Sequence, residues 1–136
     1  MKRDATAVWK GSGKEGRGYI STANKVLDQA GYSWQSRYEQ GEGTNPEELL
    51  AAAHAGCFTM KLSFVIGESG VKPEELTTTC EITLENNVIS SSYLKVKGKV
   101  PGMTKEDFEK AVQNAATNCP VSKMFRAEIK AEGTLI

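Results

Sequence analysis

Cysteine is the side chain in this sequence best suited to do chemistry, and the chain of 136 residues has three. A cysteine reacts as its thiolate, so each is judged by what could make it one. Cys57 stands in HAGCF, inside the most apolar run of the chain, Leu49 to Met60. His54 precedes it by one helical turn, at i−3. Ala55 and Gly56 are small and leave room beside the sulfur for a substrate or a closely packed backbone. Cys119 closes the apolar stripe Phe108, Val112 and Ala115, immediately before Pro120. A cysteine at such a break moves more easily than one in mid-helix, which suits a thiol that alternates with a disulfide. Cys80 lies on the apolar side of an alternating segment and reads as a small core residue. For Cys57 and Cys119 a core role remains open beside the chemical one. The 119 − 57 = 62 residues between them do not show that they meet.

Cys57 falls about three turns into its helix, too far for the helix dipole to favour a thiolate. A cation has to do so, and His54, Arg17, Arg37 and Lys61 are the candidates. Arginine suits best, because it is always charged and presents a planar donor fork. A carboxylate such as Glu47 could orient it. Glu47 and Cys57 are 57 − 47 = 10 residues apart, or about 15 Å along a continuous helix. Within one chain they cannot share a site directly. Two antiparallel copies of the helix across a two-fold axis would bring Glu47 of one copy to Cys57 of the other. The expectation is a site at a dimer interface.

The elements that carry these residues follow from periodicity. Asp4 to Lys10 alternates as a strand, and the glycine-rich Gly11–Gly18 turns the chain back into Tyr19–Thr22. Ser33 to Glu39 reads as a third short strand. Asn45 is an N-cap before Pro46, with Glu47 and Glu48 in the first turn, and the helix runs to about Gly67. It is apolar on almost every side, so it is expected to be buried all round. Leu76–Leu84 and Val88–Val100 are long strands joined at Asn86-Asn87. Thr104 with Asp107 resembles a capping box that opens a helix. Pro120 breaks that helix, a short helix follows to Phe125, and Arg126–Leu135 is a last strand. The order, βββ-α-ββ-α(α)-β, is an α+β fold. At this length residues 1–136 are expected to form a single domain.

Composition narrows the function. Seventeen basic and seventeen acidic residues give a formal net charge of zero. That argues against nucleic acid as partner and against a polybasic membrane surface. No 18-residue run is uninterruptedly apolar, so no membrane span is expected. The opening MKRDATAVWKGSG has no apolar core of a secretory signal. An odd cysteine count does not suit a disulfide-stapled secreted fold. The expected localisation is cytoplasmic.

The stretch RYEQGEGTNPEELLAAAHAGCF, residues 37–58, and NCPVS, residues 118–122, resemble the OsmC/Ohr family, the osmotically inducible and organic hydroperoxide resistance proteins. The opening hairpin and the element order extend the likeness over effectively the whole chain. The wording is closer to the OsmC branch; Ohr-type members typically carry tyrosine where His54 stands. The resemblance implies about six strands in two sheets around a long buried central helix, in an intertwined homodimer. It implies thiol-dependent reduction of hydroperoxides, organic ones preferred, in defence against oxidative stress. By motif match Cys57 is the peroxidatic cysteine, Cys119 the resolving cysteine that forms an intramolecular disulfide with it, and Glu47 the carboxylate that holds the active-site arginine. RYE assigns that arginine to Arg37, whereas the Ohr-like GRG would assign it to Arg17; the flanking motifs favour Arg37. No haem, flavin or metal cofactor is implied. The reductant would be an external dithiol of lipoyl type.

Three other readings stand beside this one. Cys57, His54 and Cys119 are acceptable zinc ligands, but the paired short spacings of structural zinc sites and a fourth ligand are missing. A non-catalytic module could bind a small apolar molecule in the dimer cleft. A cysteine hydrolase would need a base and oxyanion donors, of which only His54 is suggestive. His54 itself either polarises the site or is a buried histidine satisfied by a backbone carbonyl.

Overall fold

The computed structural model describes residues 1–136 and contains six strands and four helices in two compact units, Met1–Leu49 and Leu50–Ile136.

The first unit is an antiparallel meander of β1 (Ala5–Lys10), β2 (Arg17–Thr22) and β3 (Ala30–Ser33). Gly18 of β2 pairs with Trp9 on one side and Tyr32 on the other, and the two rings meet with centroids 5.2 Å apart. A Cβ on Gly18 would come within 2.5 Å of the Tyr32 ring, so only glycine lets the rings close over the strand.

Here the sequence expectation needs correction. Ser33–Glu39 is not a strand: β3 ends at Ser33, and α1 (Trp34–Tyr38) follows at once. Two serines decide this. The Ser33 hydroxyl accepts the Ser36 amide at 3.1 Å, and the Ser36 hydroxyl accepts the Ser33 amide at 2.8 Å. Such side chain–backbone bonds favour a helix start over continued strand. The Ser36 hydroxyl also donates to the Thr44 carbonyl at 2.8 Å, and the Asn45 amide group donates to the Ser36 carbonyl at 3.1 Å. Asn45 then caps the next helix, its Oδ1 accepting the Glu48 amide at 2.8 Å.

That helix, α2, spans Pro46–Glu68. One stripe of it is buried, His54, Phe58, Leu62 and Ile66, spaced four residues apart. The far side is open, with Met60 and Phe64 each 66% exposed. The expectation of a helix buried all round is therefore met on one face only, because a single chain supplies layers for one face. By length and composition alone, α2 is also long and apolar enough to cross a membrane, with mean hydropathy 1.6 in its most apolar window. Because His54, Lys61 and Ser63 punctuate it, it holds no uninterrupted apolar run of that length. Its buried stripe packs into a protein core.

The second unit has a sheet ordered β4 (Glu75–Glu85), β5 (Val88–Lys99), β6 (Glu128–Leu135). Strands β4 and β5 form a hairpin whose turn residues Asn86 and Asn87 both take positive φ, 51° and 61°, which asparagine tolerates well. Strand β6 lies parallel to β5, so the chain must cross over between them. It does so through α3 (Lys105–Asn118), capped by Thr104, and the short α4 (Pro120–Met124). Phe58, Leu62 and Ile66 of α2 join Leu94 and Val96 of β5 and Phe108, Val112 and Ala115 of α3 in one core. Gly98 and Gly133 let α3 sit close on the sheet: a Cβ there would come within 2.5 Å of Phe108 and 2.7 Å of Val112, respectively.

Candidate active site

Two clusters, one in each unit, contain the residues singled out from the sequence except Arg17 and Lys61.

In the second unit, Cys57 and Cys119 meet. The Cys119 and Cys57 sulfurs lie 3.0 Å apart, within hydrogen-bond reach, and both are free thiols. Pro120 explains why Cys119 stands where it does. The residue before proline is driven to extended backbone, and Cys119 has φ −66° and ψ 134°. It therefore ends α3 and starts α4. Its sulfur takes the N-cap role that serine or aspartate often fills, accepting the Ser122 amide at 3.5 Å. Cys119 is fully buried, whereas Cys57 is half-buried at the edge of the core.

The local field treats the two sulfurs differently. Burial pushes the Cys57 thiol up, and the Cys119 hydrogen bond adds to this, against a smaller opposing effect of the Val121 backbone. No cation acts on Cys57. Burial also works against a Cys119 thiolate, but hydrogen bonds from Cys57, Ser122 and Val121 outweigh it, and the net direction there is downward.

His54 is fully buried and makes no bond to Cys57. Its Nδ1 lies 2.6 Å from the Ser92 hydroxyl and its Nε2 2.7 Å from the Ser122 hydroxyl. A backbone carbonyl does not satisfy it, as one expectation had it; two serines do. The Phe125 ring packs on the imidazole at 5.2 Å. Burial pushes the His54 pKa down, so the ring is neutral near pH 7. Cys80 is half-buried, with its sulfur 3.2 Å from the Ser92 hydroxyl and 4.0 Å from His54 Nδ1. Burial raises its thiol pKa, so it is held as an unreactive thiol. With both His54 nitrogens facing serines, the zinc grouping of Cys57, His54 and Cys119 is not formed.

In the first unit, Arg37 and Glu47 meet. Arg37 sits in the last turn of α1 and Glu47 in the first turn of α2. Both Nε, at 3.0 Å, and Nη2, at 2.8 Å, reach the same carboxylate oxygen, Oε1. The other oxygen, Oε2, is buried without a hydrogen-bond partner. The Glu47 hydrogen bond raises the Arg37 pKa further above its ordinary value. Arg17 pairs elsewhere, donating to Gln35 Oε1 at 3.0 Å. Lys61 takes part in neither cluster.

Ser92 and Ser122 were missed in the sequence. Ser92 lies in register with the buried Leu94 and Val96, and a polar residue in an apolar register is a signal of a buried partner. Ser122 is the third residue after Cys119, the position whose amide an N-cap side chain binds.

Comparison with known proteins bears on the whole chain. Residues 39–133 match the family described as OsmC-like protein. The chain is 42% identical to Peroxiredoxin OsmC of Escherichia coli (strain K12) over 133 residues, covering 95% of this chain and 93% of that one. Among solved structures it is similar to an OsmC-like protein from Mycoplasma pneumoniae, with TM-score 0.77 at 14% identity over 100% of this chain and 98% of that one. It is also similar to the organic hydroperoxide resistance protein OhrB of Bacillus subtilis, with TM-score 0.67 at 24% identity over 98% of both chains.

Proposed function

The chain belongs to the OsmC/Ohr family, and from that membership we infer a thiol-dependent peroxidase that reduces hydroperoxides. The observation that carries the chemistry is the 3.0 Å approach of Cys119 to Cys57. In this reading the Cys57 thiolate attacks the terminal oxygen of the hydroperoxide. The O–O bond breaks, the sulfur keeps the hydroxyl as a sulfenic acid, and the alkoxide takes a proton and leaves as an alcohol. Cys119 then attacks the Cys57 sulfur. A disulfide forms, and the hydroxyl leaves as water with the Cys119 proton. An external dithiol reopens the bond by exchange and is itself oxidised to a disulfide. A lipoyl-type dithiol and a preference for organic hydroperoxides accord with the family.

The cation that Cys57 needs comes, in this proposal, from a second copy of the chain. Burial and the Cys119 contact push Cys57 away from its thiolate, and a guanidinium nearby would oppose that. Glu47 and Cys57 are ten residues apart on one helix, or about 15 Å along its axis. An antiparallel α2 pair removes that separation and places Arg37, held by Glu47, against the partner's thiol. The same pairing covers the open apolar side at Met60 and Phe64. It could also give a donor to the buried Glu47 Oε2, which is costly to leave unpaired.

The test is peroxide consumption with dithiothreitol as reductant. Cys57→Ser is expected to lose at least about 100-fold in rate, since an alcohol cannot replace the nucleophilic thiolate. Cys119→Ser is expected to undergo one oxidation at Cys57 and form no intramolecular disulfide. Unchanged consumption by Cys57→Ser would overturn the reading.

A further inference from the structure

The only histidine of the chain does no work in the peroxide chemistry just described, yet it is wholly buried and both its nitrogens are engaged. Its partners lie on different elements. Ser92 belongs to β5, the middle strand of the sheet, and Ser122 belongs to α4. Ser122 is also the residue whose amide binds the Cys119 sulfur. One residue therefore touches the histidine with its hydroxyl and the resolving cysteine with its backbone.

Helix α4 has five residues, far too few to hold its shape unaided. Lys123 and Met124 are exposed, so the inward contacts of α4 are those of Val121, which packs on the core, and of Ser122. Phe125, just past its end, packs on the same imidazole. Beside the core packing of Cys119 and Val121, the segment has a polar link to the sheet, from Ser122 through His54 to Ser92.

We propose that His54 is a positioning residue for the resolving step: through Ser122 it fixes α4 so that Cys119 stays aimed at Cys57. This rests on the peroxidase reading above. The sulfurs must close from 3.0 Å to a bond of about 2.05 Å. A misplacement of about 1 Å can slow such a reaction by roughly 100-fold. The oxidised Cys57 has a competing fate, because a second hydroperoxide converts the sulfenic acid to a sulfinic acid and releases a second alcohol. A displaced Cys119 therefore shows as sulfinic acid in place of disulfide. The first oxidation is governed mainly by the burial of Cys57; α4 touches that thiol only through the Val121 backbone, a smaller effect.

The test compares Ser122→Ala, Ser122→Thr and Ser92→Ala. Both alanine variants take one hydrogen-bond partner from the buried imidazole, but only Ser122→Ala cuts the link to α4. Single-turnover mixing with cumene hydroperoxide, dimedone trapping and mass spectrometry follow Cys57 from thiol to sulfenic acid, disulfide or sulfinic acid. For Ser122→Ala the first oxidation is expected within about two-fold of the parent, with disulfide formation slowed at least ten-fold and the sulfinic fraction raised to match. Ser122→Thr, which keeps the hydroxyl, is expected to restore the parent partition, and Ser92→Ala to stay near it. Parent-like disulfide formation in Ser122→Ala, or an equal defect in Ser92→Ala, would overturn the proposal. A second readout needs no peroxide: the Cys57–Cys119 disulfide equilibrium in a dithiothreitol redox buffer, expected to shift at least ten-fold toward thiols in Ser122→Ala alone. If the parent does not react with hydroperoxide, the peroxidase reading fails, and this equilibrium still decides the positioning role of His54.

Discussion

Arg37 and Glu47 meet through a single carboxylate oxygen: two guanidinium nitrogens reach Oε1, while Oε2 is left buried and unpaired. The pair joins the end of α1 to the start of α2 and depends on the Ser33–Ser36 cap that makes α1 a helix. An arginine held this way leaves Nη1 outside the ion pair.

Replacing Arg37 therefore separates charge from geometry. Arg37→Lys keeps the charge and loses the planar fork. Peroxide turnover should fall by on the order of 100-fold, the usual loss when one preorganised electrostatic group is removed. Arg17→Ala, which breaks only the bond to Gln35, should stay within about two-fold. Steady-state rates of the two variants check this, and the reverse ranking would move the role to Arg17.

The open side of α2 predicts association. Phe64→Glu places a charge on a surface that is 66% exposed in one chain and buried in the proposed pair. Sedimentation of the parent should give twice the chain mass of 14.8 kDa. The variant should sediment as a single chain and lose turnover with its partner's arginine. A parent that sediments as one chain would remove the interface site.

Buried His54 gives stability a pH dependence. Its pKa is lowered in the fold, whereas a free histidine takes a proton near pH 6.5. The stability it contributes is complete above that pH. As pH falls, the unfolded chain binds a proton that the folded chain refuses, and stability drops by up to about 1.4 kcal/mol per pH unit. Urea unfolding between pH 7.5 and 5 should show this slope, and His54→Gln should flatten it.

Close packing of α3 on the sheet predicts that Gly98→Ala destabilises. The new Cβ would lie 2.5 Å from Phe108 Cζ, and Phe108 is fully buried with little room to yield. A loss of about 1–3 kcal/mol is expected, as for other overpacked cores. Urea unfolding measures it as a lower midpoint at unchanged slope.

Much of this was legible in the sequence. Period-two alternation located β4 and β5 within a residue, and Asn45-Pro46 located the start of α2. The α1 helix was hidden because SWQSRYE alternates as a strand would. What decides it is a reciprocal bond between Ser33 and Ser36, a local preference that the hydrophobic pattern does not carry. The approach of Cys57 to Cys119 was implied by the family resemblance but not by spacing or periodicity, since it depends on a crossover that brings residues 62 apart together. His54 stood out as a chemical residue, but its partners did not. Ser92 and Ser122 are small, common and far off in the chain, and only the fold aims them at one imidazole.

The most direct test of the two-cysteine cycle treats the reduced protein with one equivalent of cumene hydroperoxide, counts the remaining thiols and maps any disulfide by mass spectrometry. The account predicts the loss of two thiols, a Cys57–Cys119 link and an intact Cys80. Survival of all three thiols in excess peroxide would contradict it.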